Sequence, residues 1–241
     1  KNPKNNKSKR NDFSKIQGRF FTKLSLSSSN VDEVIRKRIL EKTPEAQKEL
    51  QLLYDKKESI IKNLITFSDK AEKKLYEDRN DFADVYPFIP YQFNLLGNVL
   101  TAIREDGASG KHLADGERSM LALFQESAVS YRNNSVGMLI PFCKFYDALH
   151  KFIDHTYAGV IVHAEDNTQL KPFDVDLLKI LFMIKFVKEV KSTQENLTTL
   201  MVSAIDEDRI ELERKVTESL ARLLEQTLIQ KNGDEYMFLT N

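Results

Sequence analysis

The sequence predicts a mainly α protein: a helical bundle followed by a winged helix-turn-helix with a small β-hairpin. Three observations predict it. Gly and Pro are scarce, with eight and six in 241 residues, which disfavours a loop-rich β fold. Hydrophobic residues form 41% of the chain and recur at helical spacing, while the 30% of charged residues suit the solvated faces of helices. Near the end, Asn232-Gly233 stands between two short apolar-polar runs, the strongest short-range hairpin signal.

Residues 1–15 carry six basic side chains against Asp12 and almost nothing apolar before Phe13, so they read as a basic tail, solvated or touching nucleic acid. In residues 16–28, Phe20, Thr22, Leu24 and Leu26 alternate with Phe21, Lys23, Ser25 and Ser27, a period of two that predicts one short strand. A lone strand needs a partner. It is expected to pair with a sheet outside this chain or to pack as an extended arm.

Ser29 or Asn30 is a good N-cap, with Asp32 and Glu33 in the first turn of a helix that buries Val31, Val34, Ile35, Ile39 and Leu40. A long amphipathic helix follows Pro44 to about Ser59 and on through Ile65, with a short helix expected over Asp69–Tyr76. Tyr86-Pro-Phe-Ile-Pro-Tyr makes an extended turn and primes the next helix, whose apolar face is Phe93, Leu95, Leu96, Val99, Leu100 and Ile103. Residues 106–116 form a loop with three glycines. A helix over Gly116–Tyr131 then turns Met120, Leu121, Leu123 and Phe124 inward, and another is expected over Pro141–Tyr157. These helices make one unit over residues 29–160, and a winged helix fills 161–241. Its helices are predicted over Phe173–Val190, Thr193–Ala204 and Arg209–Thr227, with Ile210, Leu212, Val216, Leu220, Leu223 and Leu224 as core candidates of the third.

Several function classes are excluded. Thirty-six basic and 36 acidic residues give zero net charge, so the chain is not a globally basic nucleic-acid binder. Cys143 is the only cysteine, which removes an intrachain disulfide framework and a paired-cysteine zinc site. No apolar run approaches membrane-spanning length, and the basic start lacks a signal-peptide core, so the cytoplasm is the expected location. Lys1 is not a methionine and the opening reads as the interior of a protein, so a fragment is expected.

Gly107-Ala-Ser-Gly-Lys111 looks like a phosphate loop but fails as one: Glu105 stands where the first glycine belongs and His112 where the magnesium-binding hydroxyl belongs. Leu113-Ala-Asp-Gly-Glu-Arg-Ser119 has the shape of an ABC-type signature, without the strand and acidic pair that should follow. Arg118 is the best single functional candidate, a permanently charged fork at a helix start behind a loop that also holds Lys111. The alternative is a surface ion pair with Glu117, Asp115 or Glu105. His112, His150, His155 and His163 match no metal pattern, so no metal site is expected. In the third winged-helix helix and the hairpin, Arg209, Arg214, Lys215, Arg222 and Lys231 are the nucleic-acid candidates. Glu211, Glu213, Glu218 and Glu225 offset them, which leaves protein contact open beside duplex DNA.

Four stretches together resemble the large P-loop ATPase of bacteriophage-exclusion (BREX) defence systems: Gly18-Arg-Phe-Phe-Thr-Lys-Leu-Ser-Leu-Ser-Ser, Asn30-Val-Asp-Glu-Val-Ile-Arg-Lys-Arg-Ile-Leu, Tyr86-Pro-Phe-Ile-Pro-Tyr-Gln-Phe and Gly107-Ala-Ser-Gly-Lys-His-Leu-Ala-Asp-Gly-Glu-Arg-Ser. The resemblance covers most of residues 16–131. It implies that residues 16–28 are the last strand of a truncated AAA+ core, followed by the helical lid and a winged helix. It also implies that Arg19 occupies the interfacial-arginine position and that Arg118 is the lid arginine sensing the γ-phosphate. No Walker motif is present, so no catalytic site is complete here. ATP and magnesium are expected in the parent and no cofactor in this chain. The implied partners are the missing core of the same polypeptide, other defence proteins, duplex DNA and further copies in a homo-oligomer. The alternative is a DNA-binding or protein-docking winged-helix module with no nucleotide role.

Overall fold

Helix starts show most directly how this sequence selects its elements. The computed structural model describes residues 28–69, 72–105, 108 and 116–240. In five helices a side-chain oxygen accepts the otherwise unpaired amides of the first turn. Thr43 does so for α2 (Pro44–Leu64), Asp78 for α3 (Arg79–Val85) and Asp154 for α7 (His155–Glu165). Thr193 caps α9 (Gln194–Leu200), and Asp208 caps α10 (Arg209–Glu225). The others are α1 (Ser28–Val34), α4 (Tyr91–Glu105), α5 (Gly116–Ser130), α6 (Lys144–Leu149) and α8 (Pro172–Ile184). Strands β1 (Ile229–Asn232) and β2 (Glu235–Phe238) pair antiparallel, Ile229 opposite Phe238.

The protein is mainly helical with a C-terminal hairpin, as the sequence predicts, but several boundaries differ. The first helix already runs from Ser28, so Ser29 and Asn30 lie inside it, and it continues as a π-helical turn over Ile35–Ile39. Residues 72–77 are irregular instead of helical. Tertiary bonds draw this stretch out: Lys73 donates to Glu189 O at 2.6 Å and Tyr76 to Phe88 O at 2.7 Å. The short helix lies later, at α3. The helix expected over Pro141–Tyr157 is broken into α6, a 3₁₀ turn over His150–Phe152, and α7. Asp154 is the cause, because its carboxylate accepts from Thr156 N at 2.9 Å and starts a new helix. The strand predicted over Arg19–Ser27 lies outside the described residues.

Turn chemistry is equally local. Gly233 takes φ +63° as the first central residue of the hairpin turn, so the turn centres on Gly233-Asp234, one residue later than Asn232-Gly233. Gly137, at φ +103°, donates its amide to the Tyr86 hydroxyl at 2.9 Å, where a side chain would be strained.

An aromatic cluster unites the first half. Phe124 of α5 packs at 4.5 Å from Phe93, 4.8 Å from Phe88 and 5.0 Å from Phe145, ring centre to ring centre. Each such buried ring contributes on the order of 1.5–3 kcal/mol. Gln92, fully buried, accepts from Ile89 N and donates to Ile140 O at 2.7 Å, tying the turn before α4 to the segment before α6. Cys143, 1% exposed, has its thiol pushed far up by burial, with the nearby Asp176 charge adding to the effect.

The last three helices and the hairpin form a winged helix. Tyr236 N donates to Ser192 O at 3.1 Å and Thr193 forms an isolated antiparallel bridge with Glu235, so the residues just before α9 lie beside β2. This unit is bonded to the rest. Residues 137–142 run alongside 200–205, with Leu139 N on Ser203 O, Ile205 N on Gly137 O and Phe142 N on Leu200 O, each at 2.9 Å. Helix α8 is buried on nearly every side, by α10, α7, α6, α9, α4 and β2. One hydrophobic core therefore runs from Val31 to Phe238.

Asp174, at 0% exposure, opens α8 by accepting from Lys171 N and receives both arms of Arg222 at 2.7 Å. Burial by itself pushes the carboxyl up. The hydrogen bonds from Arg222 and Lys171, with the guanidinium charge, outweigh it and hold the group below its ordinary 3.8. Arg222→Ala is expected to lose about 3 kcal/mol in urea unfolding, because it strands a buried carboxylate. A folded value below the unfolded one means that the pair's stabilisation is present above pH 3.8 and is lost as pH falls through the folded value. The gap between parent and variant should therefore close in acid, and a gap independent of pH would contradict the assignment.

Candidate functional site

Three regions carry chemistry: the start of α5, the outward side of α10, and a groove beside the start of α2. At the first, Arg118 sits in the opening turn of α5 with an exposed side chain and makes no ion pair with any side chain described. Ser119 and Met120, the next two residues, are buried, at 5% and 7% exposure, so the backbone that carries Arg118 is fixed. Ahead of α5, Ala108 is described by itself, and its carbonyl accepts from Asp154 N at 2.9 Å. Arg19 and Lys111 lie outside the described residues.

The five nucleic-acid candidates, four on α10 and Lys231 in β1, separate into three kinds. Arg209 and Arg222 are structural. Arg209 donates to Leu64 O at 2.5 Å, to Thr199 Oγ1 at 3.0 Å and to Glu195 O at 3.3 Å, bridging the end of α2 to α9. Arg222 holds Asp174. Arg214 is exposed but sits between Glu211, at 2.7 Å, and Glu218, one helical turn to either side. These bonds raise its pKa further, the Glu211 hydrogen bond most. Lys215 is exposed, as is Lys231, whose ammonium lies 5.3 Å from the centre of the Tyr236 ring. Ile210, expected in the core, is 82% exposed. It sits two residues after the Asp208 cap, on the side of the helix away from the buried stripe of Leu212, Val216, Leu220 and Leu223.

The groove has a cavity volume of about 480 Å³ and is mostly apolar, lined by Leu40, Leu50, Pro87, Ala128, Val136 and Met138 among others. Lys42 is in its wall and donates to Asp84 O at 3.0 Å. Burial pushes this amine down to about 8, against the Asp84 charge, which acts to raise it. Nothing in the sequence around Lys42 marks it, because its burial comes from residues some forty and ninety positions away.

A second feature hidden from sequence is Lys179 on α8. Its ammonium reaches Asp147 Oδ1 at 3.1 Å and Glu165 Oε1 at 3.2 Å, joining α6, α7 and α8. Burial pushes it down, but the two carboxylates outweigh that, so it stays charged. His150, His155 and His163 are exposed, and among the described residues no group of His, Cys, Asp and Glu could hold a metal ion. Among the same residues no helix is long and apolar enough to cross a membrane.

No protein-family model matches this chain, and no solved structure matches it at a significant level.

The arrangement on α10 leads to a direct expectation for DNA. A side chain that contacts phosphate lowers the slope of log affinity against log salt by about 1 when it is removed. Lys215→Ala and Lys231→Ala, tested in the full chain by fluorescence anisotropy on duplex DNA, are expected to leave that slope unchanged. A drop in slope for either would return the hairpin and α10 to the list of phosphate contacts.

Proposed function

We propose that the chain is the lid and winged-helix part of a P-loop ATPase of the AAA+ type, of the kind found in BREX defence systems, and that its winged helix contacts protein instead of duplex DNA. The observation that carries the first half is Arg118: an exposed guanidinium on the first turn of a helix anchored by an aromatic core. A helix start favours anions through its free amides and dipole, and the guanidinium adds a charged fork to them. That combination fits a phosphate. The chemistry itself, with ATP and magnesium, belongs to a core that carries the Walker motifs.

In this reading, Arg118 travels with α5 toward the γ-phosphate when the lid closes and retreats after hydrolysis. The bonds between residues 137–142 and 200–205 carry the winged helix with it as one body. The second half rests on the electrostatics of α10. Two of its arginines are turned inward and a third is matched by two glutamates, so the helix a DNA reader would insert into a groove has lost most of its positive charge. This same face favours the alternative of a protein-docking winged helix with no nucleotide role, and the two readings part at Arg118.

In the parent polypeptide, Arg118→Ala is expected to lower ATP turnover by on the order of 10²–10³-fold, the range for loss of one preorganised transition-state donor. Circular dichroism should be unchanged, because the side chain is exposed. Turnover at the parental rate would remove the sensor role and leave the docking alternative.

A further inference from the structure

Lysines that meet aromatic rings in this fold mostly meet one each. Lys73 lies over Phe67, Lys151 over Phe152, Lys179 over Tyr146 and Lys231 over Tyr236. Lys185, in the turn that ends α8, meets three. Its ammonium stands 5.5 Å from the ring centre of Tyr157 on α7, 5.4 Å from that of Phe186 and 5.6 Å from that of Phe238 on β2. The planes of Tyr157 and Phe186 are 82° apart, so these two rings stand as walls of a corner. Phe182 packs against Tyr157 at 5.5 Å and against Phe238 at 5.4 Å, ring centre to ring centre, and links the two. Among the described residues no hydrogen-bond acceptor or carboxylate reaches the Lys185 ammonium. Lys179, on the same helix, has two carboxylates.

We infer that Lys185 is a site of Nζ-methylation, and that Tyr157, Phe186 and Phe238 form the cage that holds its methylated ammonium. The dimensions fit. A methyl carbon touches a ring face at about 3.5–4.0 Å and lies about 1.5 Å from its nitrogen. Methyl groups aimed at the rings therefore set the nitrogen about 5.0–5.5 Å from the ring centres. The observed 5.4, 5.5 and 5.6 Å lie at the upper end of that range, and a bare ammonium in direct contact would sit closer. The chemistry fits as well. A bare ammonium here loses water without gaining an acceptor, and burial pushes its pKa below the ordinary 10.5. Methylation removes N–H donors and keeps the charge. A trimethylammonium needs no acceptor and cannot be neutralised by burial, so the attraction of the three ring faces persists. In each transfer the neutral amine attacks the methyl carbon of a sulfonium donor held by a separate transferase. The C–S bond breaks, its electron pair stays on sulfur as a thioether, and the new ammonium releases a proton to solvent before the next transfer. Lys185 is half-exposed and is followed closely by exposed Lys188 and Glu189, so the amine is within reach of such an enzyme. The product ties the end of α8 to α7 and to the hairpin by a charge that no longer titrates.

The inference is independent of Arg118 and of what α10 contacts. Peptide mass spectrometry of the full chain, isolated from the cells that make it, tests the modification. Lys185 should carry two or three methyl groups while its neighbours Lys188 and Lys191 carry none. An unmodified Lys185, or methyl groups spread evenly over the three lysines, overturns the inference. The cage is tested on the unmodified full chain by reductive methylation with ¹³C-formaldehyde and a borane, followed by NMR. The Lys185 dimethylamino signal, identified by its loss in Lys185→Arg, should lie upfield of those of the other lysines, because ring faces shield the methyl groups. Tyr157→Leu and Phe186→Leu, both at half-buried positions, should each shift it back toward the others. A Lys185 signal that lies among the others, or a Lys185 that stays unreacted, overturns the cage.

Discussion

Keeping water away from α8 is the constraint on which the other elements depend. Leu177, Leu178, Ile180, Leu181, Phe182, Met183 and Ile184 are all buried, which covers nearly the whole circumference of the helix. A helix apolar all round has no solvent face and must be enclosed. Enclosure comes from α4, α6 and α7, which precede it in the chain, and from α9, α10 and β2, which follow it. Its polar side chains are handled individually. Asp174 is matched by Arg222 from α10, and Lys179 reaches out to Asp147 and Glu165. Charge pairing at these two points sets how the neighbours sit around the helix, because a shift in register would leave a buried charge without its partner.

This enclosure bears on how motion could pass through the molecule. Residues 137–142 share backbone hydrogen bonds with 200–205, and Arg209 reaches across to the end of α2. With Asn196 bonded to Ser68 and Asp69 as well, the joint between bundle and winged helix is polar, specific and short-range. Such a joint transmits rotation and resists hinging. The winged helix thus works as an extension of the bundle surface, and what it presents outward is decided by the charges on α10.

Much of the fold was legible in the sequence because its helices are long and periodic. Helices α2, α4, α5 and α10 lie where apolar spacing places them, and the hairpin turn falls one residue after the position its Asn-Gly pair marks. Short elements were less legible. Helix α3 has only seven residues and depends on the Asp78 cap, and Asp154 splits an otherwise continuous helical pattern. The site was harder to read because its decisive partners are remote. Arg209 bonds Leu64 O, 145 positions earlier, and Arg222 bonds Asp174, 48 positions earlier. From sequence alone, a basic residue on this helix looks the same whether it faces phosphate or a buried carboxylate. Glu211 and Glu218 were more informative, since a glutamate three or four residues from Arg214 shares its helical face.

Cys143 has a practical consequence. Its thiol is sealed among α6 and its neighbours, protonated and out of reach of alkylating reagents while the core is closed. Modification must wait for the core to open, so the rate at which a thiol reagent marks the native chain measures how often that happens. A cysteine introduced on the outside of α5 or α10 would react far sooner, and a spectroscopic label could be placed there selectively with the native residue left as it is.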